Sequence, residues 1–171
     1  MSAGDQRYLG AHLTEEGANF AIWAAAAKKV ELCFFNENNG KLEEVRHELV
    51  DRNGPIFHGY FAEIKAGQKY GYRIDGEWNP ERGWRFNPNK VLIDPYTHLL
   101  SGDLKYVPEI YSHLSSDGVG SGDVSVQDIR DNASFVPLSV VTENVKSDGT
   151  RIRTPWSKTV IYEAHVRGLT Q

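Results

Sequence analysis

The residues with most to offer a ligand are three aromatic side chains in the stretch GEWNPERGWRFNPNK, namely Trp78, Trp84 and Phe86. Flat aromatic faces accept the apolar face of a sugar ring by the same geometry that lets them accept other rings and cations. Trp78 and Trp84 are therefore the candidate substrate-binding residues. The competing reading is that these rings anchor the loop against a neighbouring domain. The pairs Asn87-Pro88 and Asp94-Pro95 are turn formers that fix the path of the chain around them.

The remaining chemistry is mostly negative. The six histidines are scattered without HxH or HExxH spacing, so no metal site is expected. GVGSG lacks the Lys-Ser/Thr end of a phosphate-binding loop, no Gly-x-Ser-x-Gly elbow is present, and no cofactor is expected. Cys33 lies in an alternating run and reads as a small buried hydrophobe rather than a nucleophile. Glu43, Glu44 and Glu48 read as a solvated strand face. Glu163 sits in an apolar run; it could be an active-site carboxylate, but reads rather as a buried carboxylate paired with Arg167 or another arginine, or as a group facing outer helices, because a buried acid needs a partner.

The elements that must carry these residues are strands. ANFAIWA alternates, with Phe20 and Ile22 on one side and Asn19, Ala21 and Trp23 on the other. KVELCFF places Val30, Leu32 and Phe34 together, and Asn39-Gly40 after it is a hairpin turn. KLEEVRHELV fits a helix through Leu42, Val45 and Leu49, or a strand through Val45, His47 and Leu49; the hairpin turn before it favours the strand. GYFAEI and KYGYRIDG follow, with Tyr70, Tyr72 and Ile74 on one face and Gly67 in the turn between. Strands at this spacing predict an all-β fold, an immunoglobulin-like antiparallel β-sandwich over residues 1–95.

Residues 96–156 lack clear periodicity and carry Pro108, Pro137, Pro155 and the run SSDGVGSGD, which reads as a mobile loop. So long an irregular stretch predicts an extended connection lying on another body. Residues 157–171 contain TVIYEAHV, a nearly continuous apolar run from Thr159 to Val166. That pattern suits a strand buried on both faces of a parallel sheet or barrel, whose neighbours would lie elsewhere.

Bulk properties narrow the function. A length of 171 residues can bury a real core. A net charge of −4 gives no footprint for nucleic acid or an anionic membrane. No apolar run approaches the ~20 residues of a membrane span. The opening MSAGDQRYLGAHL has no cationic region followed by an apolar one, and the single cysteine excludes an internal disulfide. Together these predict a cytoplasmic protein, in which the sequon Asn132-Ala133-Ser134 stays unmodified.

GYRIDGEWNPERGWRFNPNKVLIDPYTHLLSGDL, DNASFVP and RTPWSKTVIYEAHVRGLT resemble the N-terminal region of isoamylase-type glycogen debranching enzymes of the α-amylase superfamily. YLGAHLTEEGANFAIWAAAAKKVELCFF resembles their opening strands, so the likeness runs over nearly the whole chain. The resemblance implies a family 48 carbohydrate-binding module, then the connection, then the first strand of a (β/α)₈ barrel. It implies a parent activity, hydrolysis of α-1,6 branch linkages in glycogen or limit dextrin by a retaining mechanism. That chemistry needs two carboxylates ~5 Å apart, which in such barrels come from the ends of later strands. No catalytic residue is thereby assigned in this chain. The expectation is a non-catalytic module whose partners are the catalytic barrel and glycogen or another α-glucan. The alternatives are an autonomous glucan-binding module and a purely structural domain that orients the barrel.

Overall fold

The computed structural model describes residues 1–143 and 153–169. Its strands are β1 (Gly10–Leu13), β2 (Gly17–Trp23), β3 (Lys29–Asn38), β4 (Lys41–Glu48), β5 (Asp51–Asn53), β6 (Ile56–Ala62), β7 (Lys69–Asp75), β8 (Trp78–Asn79), β9 (Trp84–Arg85), β10 (Leu100–Ser101), β11 (His113–Ser115), β12 (Gly122–Gln127) and β13 (Leu138–Val140). One sheet runs β1-β2-β6-β5 and a second β10-β13-β7-β3-β4; β8-β9 and β11-β12 form two small ribbons. Pairings are antiparallel, as the alternation of the sequence requires.

The two large sheets bury a common core. Phe20 and Ile22 of β2 and Phe57 and Phe61 of β6 meet Val30, Leu32 and Phe34 of β3 and Tyr70, Tyr72 and Ile74 of β7. Phe20 stands edge-on to Phe34, Phe61 and Tyr70, with ring centroids 5.1–5.8 Å apart. Each such side chain stabilises the fold by about 1.5–3 kcal/mol on burial, and the edge-to-face geometry adds direction to that burial. The Asn39-Gly40 turn has positive φ at both residues, 50° and 74°. Residues 41–48 pair with β3 without a break, so this segment is a strand rather than a helix.

β3 is covered on both faces. Its other side turns Cys33 and Phe35 against Val91 and Leu138. The chain after β9 returns over this face, and Leu92 exchanges backbone hydrogen bonds with Tyr72 at 2.7 and 2.9 Å. Gly71 permits the approach: a Cβ there would lie 2.6 Å from Val91 Cγ1 and 3.0 Å from the Leu92 carbonyl oxygen. The stretch expected as a connection, 96–156, lends β13 to the second sheet through Ser139↔Tyr70 and Val140↔Lys69, and places Val141 in the core.

Three expectations are corrected. SSDGVGSGD is not a mobile loop but part of the β11-β12 hairpin, where the Asp117 carboxylate accepts the N–H groups of Val119 and Ser121. Glu44 is not a solvated strand-face residue; it is largely covered and ion-paired with Arg73. Over the expected barrel strand, residues 159–165 take no regular structure in this chain, a single helical turn spans Val166–Leu169, and Val160, Ile161 and Tyr162 are exposed. A strand is made by the ladder it joins, and the described residues offer this segment none. Glu163 is exposed too, so the buried pairing with Arg167 does not form.

Candidate ligand-binding site

Trp78 and Trp84 sit on the β8-β9 ribbon, whose tight return is written into its residues. Pro80 opens a 3₁₀ turn over Pro80–Arg82, and Gly83 closes it at φ 82° with its N–H on the Pro80 carbonyl. Pro has the φ the turn needs and Gly the left-handed one. The register is Trp78↔Arg85 and Asn79↔Trp84. Successive side chains in a strand alternate, so the ribbon puts the two indoles on opposite faces. It does not bring them together as one platform.

Each ring is held separately. Trp78 Nε1 donates to the Ser125 carbonyl on β12 at 2.7 Å. Trp84 stacks on Phe86, with centroids 6.2 Å apart and planes inclined by 17°. Phe86 in turn lies flat on Gly76, where a Cβ would come within 2.5 Å of the ring. Trp84, Phe86, Ile74, Leu92 and Ser112 line a cleft of about 330 Å³, mostly apolar with a polar edge. That combination suits a ligand with a flat apolar face and a polar rim.

Beneath the ribbon the charged residues are committed to structure. Arg73, fully buried on β7, donates through Nε and Nη2 to the two Glu44 oxygens at 2.6 and 2.9 Å, through Nη2 also to Asp131, and through Nη1 to the Pro88 carbonyl. Burial opposes charge on Glu44, but hydrogen bonds from Arg73, Cys33 and Arg46 outweigh it and hold the carboxyl below its ordinary range. Lys90 Nζ donates to the Glu109 and Arg130 carbonyls at 2.7 and 2.8 Å and to Asp128 at 3.1 Å. Burial pushes the Lys90 ammonium down in pKa, and Asp128 draws it back up. Asn87 donates to the Ser112 and Asp128 carbonyls, while Asn132 pairs with the backbone of Val91 through both ends of its amide. The stretch RFNPNK thus clasps the returning chain to the sandwich. Asn87 and Lys90 within it are buried, paired and unavailable to a ligand.

Cys33 is buried and forms no disulfide, and burial pushes its thiol far above the usual range. It is no nucleophile. No cluster of three or more His, Cys, Asp or Glu able to hold a metal occurs among the described residues. No helix among them is long and apolar enough to cross a membrane. Sequence reasoning missed Trp23, which the β2 alternation turns outward and which is 59% exposed. The signal was present in ANFAIWA, where Trp23 falls on the side opposite Phe20 and Ile22.

The carbohydrate-binding module 48 (isoamylase N-terminal domain) family model matches residues 8–97. A glycogen debranching enzyme of Yersinia enterocolitica is 44% identical over 173 residues, an alignment that takes in 100% of this chain and 24% of the relative. That of Salmonella typhi is 41% identical over 172 residues, covering 99% of this chain and 24% of its own length. The chain therefore spans about a quarter of the length of the curated relatives it matches. Among solved structures, an apo pullulanase from Klebsiella pneumoniae aligns with a TM-score of 0.44 at 25% identity, over 53% of this chain and 9% of that one.

Proposed function

The chain belongs to the carbohydrate-binding module 48 (isoamylase N-terminal domain) family, and from that premise we propose that it is the non-catalytic N-terminal module of a glycogen debranching enzyme acting in the cytoplasm. The observation that carries the reading is an alignment of the entire chain with a quarter of such enzymes. The proposed organisation is an immunoglobulin-like sandwich from residues 1–95, a connection over 96–156 that doubles back to lend it β13, and a leading barrel strand in 157–171. That strand would form only against the rest of the barrel. Branch hydrolysis needs a free carboxylate pair, one acid and one nucleophile. The carboxylates most buried here instead hold the fold: Glu44 is clasped by Arg73, Asp128 by Lys90 and Arg130, and Asp94 by Tyr70. The module's own work is to orient the barrel and to meet α-glucan.

Trp78 and Trp84 are proposed as two separate glucan contacts, because they occupy opposite faces of one ribbon. The cleft beside Trp84, with its ring face and polar edge, favours a sugar there. A reducing-end assay on glycogen with the homogeneous chain tests the non-catalytic reading. No release above the buffer control is expected, and steady release of linear maltodextrin would overturn it.

A further inference from the structure

The outer face of the β1-β2-β6-β5 sheet carries groups that the tryptophan ribbon does not use. Alternation turns His12, Asn19 and Tyr60 to this face, side by side across three strands through His12↔Asn19 and Asn19↔Tyr60. His58 and Trp23 lie on the same face. The first residues of the chain cross it as a strap. Ser2 exchanges backbone hydrogen bonds with Tyr60 at 2.9 and 2.8 Å. Gly4 rests on bare backbone, since a Cβ there would be 2.7 Å from the Gly59 nitrogen. The Asp5 N–H donates to Asn19 Oδ1 at 2.6 Å and Asn19 Nδ2 donates back to the Asp5 carbonyl at 3.0 Å. Asn19 is therefore the positioning residue of the strap. Between strap and sheet opens a cleft of about 800 Å³, walled by Tyr8, His12, Asn53, His58 and Tyr60 among others.

The chemistry of this cleft selects its ligand. Its charges cancel: Arg7 Nε and Nη2 engage both Asp5 oxygens at 2.6–3.1 Å. A neutral molecule is therefore favoured over an ion. Tyr8 stands half exposed with its ring 5.4 Å from that of His12, and Trp23 is exposed on the same face. These offer flat apolar surfaces. Asn53 offers paired donor and acceptor capacity, and the Tyr60 hydroxyl, which shares one hydrogen bond with Thr14 Oγ1 at 2.9 Å, keeps capacity for another. His58 Nδ1 is buried and has no hydrogen-bond partner among the described residues, where folded proteins normally supply one. Apolar ring faces beside planar polar groups and no net charge fit a polyol ring better than a peptide, a phosphate or a lipid.

We infer that this cleft is a second α-glucan site, separate from the tryptophan ribbon, with a sugar ring stacked on Tyr8, hydroxyls bonded by Asn53, His58 and Tyr60, and the glucan extended along the same sheet face to Trp23, which lies outside the lining of the cleft. It rests on the reading of the chain as a carbohydrate-binding module. The test is titration of the ¹⁵N-labelled chain with maltoheptaose, following every amide and indole N–H. Saturable shifts at Asn53, His58, Tyr60 and the Trp23 indole are expected. Trp23→Ala should weaken that binding about 2- to 10-fold, the worth of one aromatic ring contact, with the rest of the spectrum unchanged. Shifts confined to residues around Trp78 and Trp84, or a Trp23→Ala midpoint equal to the parent's, would overturn the second site and leave the module reading standing. No shifts at all would overturn both the site and the glucan-binding reading.

Discussion

Lys90→Met tests the claim that buried charge clasps the returning chain to the sandwich. Methionine keeps the apolar stem of Lys90 and removes only the ammonium. Three bonds disappear, to the carbonyls of Glu109 and Arg130 and to Asp128. Breaking one side of a buried ion pair destabilises by about 3–5 kcal/mol. Asp128 keeps Arg130 Nε at 2.9 and 3.1 Å, so the lower end, about 3 kcal/mol, applies. Domains have total stabilities of about 5–15 kcal/mol, so this is a large share. With a urea m-value of about 2 kcal/mol/M, the unfolding midpoint should fall by about 1.5 M. The assay is urea unfolding followed by tryptophan fluorescence, with the exposed Lys41→Met as control, expected within about 0.5 kcal/mol of the parent. Native-state amide exchange should also speed up across residues 109–130, the part Lys90 holds. A midpoint shift below about 0.5 M with unchanged exchange would refute the clasp.

Other outcomes follow from the same packing. Gly71→Val drives a side chain into Val91 and the Leu92 carbonyl; overpacking of this kind costs about 1–3 kcal/mol, at about 2–4 °C of melting temperature per kcal/mol for a chain of this size, and an unchanged calorimetric Tm would contradict the observed approach. Cys33 should resist a thiol reagent at pH 8 in the native state and react only in denaturant, because its thiol is buried and its pKa raised; prompt native labelling would contradict the two-sided cover of β3. Glu44 and Asp128 have folded-state pKa values below their ordinary ones. The stability they contribute is therefore fully present above the ordinary carboxylate range and lost as pH falls through the folded values. Urea midpoints should decline below about pH 5, and Glu44→Gln should be less stable at pH 7 with a shallower acid decline; an equal slope in both proteins would count against the Arg73 pairing.

Much of the sandwich was legible because half-buried strands record their burial with period two. Phe20 and Ile22, Val30, Leu32 and Phe34, and Tyr70, Tyr72 and Ile74 all face the core that their alternation indicates. What alternation cannot show is a second cover. Cys33 and Phe35 sit on the face opposite Phe34, and only the returning Val91 and Leu138 explain their burial. The clasp was hidden for a related reason. Arg73, Lys90, Asp128 and Asn132 look like surface residues in sequence, and their burial depends on partners 29–58 residues away, at Glu44, Asp128, Val91 and Asp131. TVIYEAHV illustrates the limit from the other side. Its β-propensity is strong, yet a strand needs a neighbour, and propensity alone does not supply one. For the candidate site, aromatic content drew attention to Trp78 and Trp84, but only the Trp78↔Arg85 register reveals that they face apart.

The most direct measurement is native electrophoresis of the chain through a gel cast with glycogen, beside a non-binding protein, followed by iodine staining of the gel. A module that meets glucan without cleaving it should be selectively retarded and leave the stain along its track unchanged. Mobility equal to that in the glycogen-free gel, or a track of altered stain marking debranching, would contradict the account.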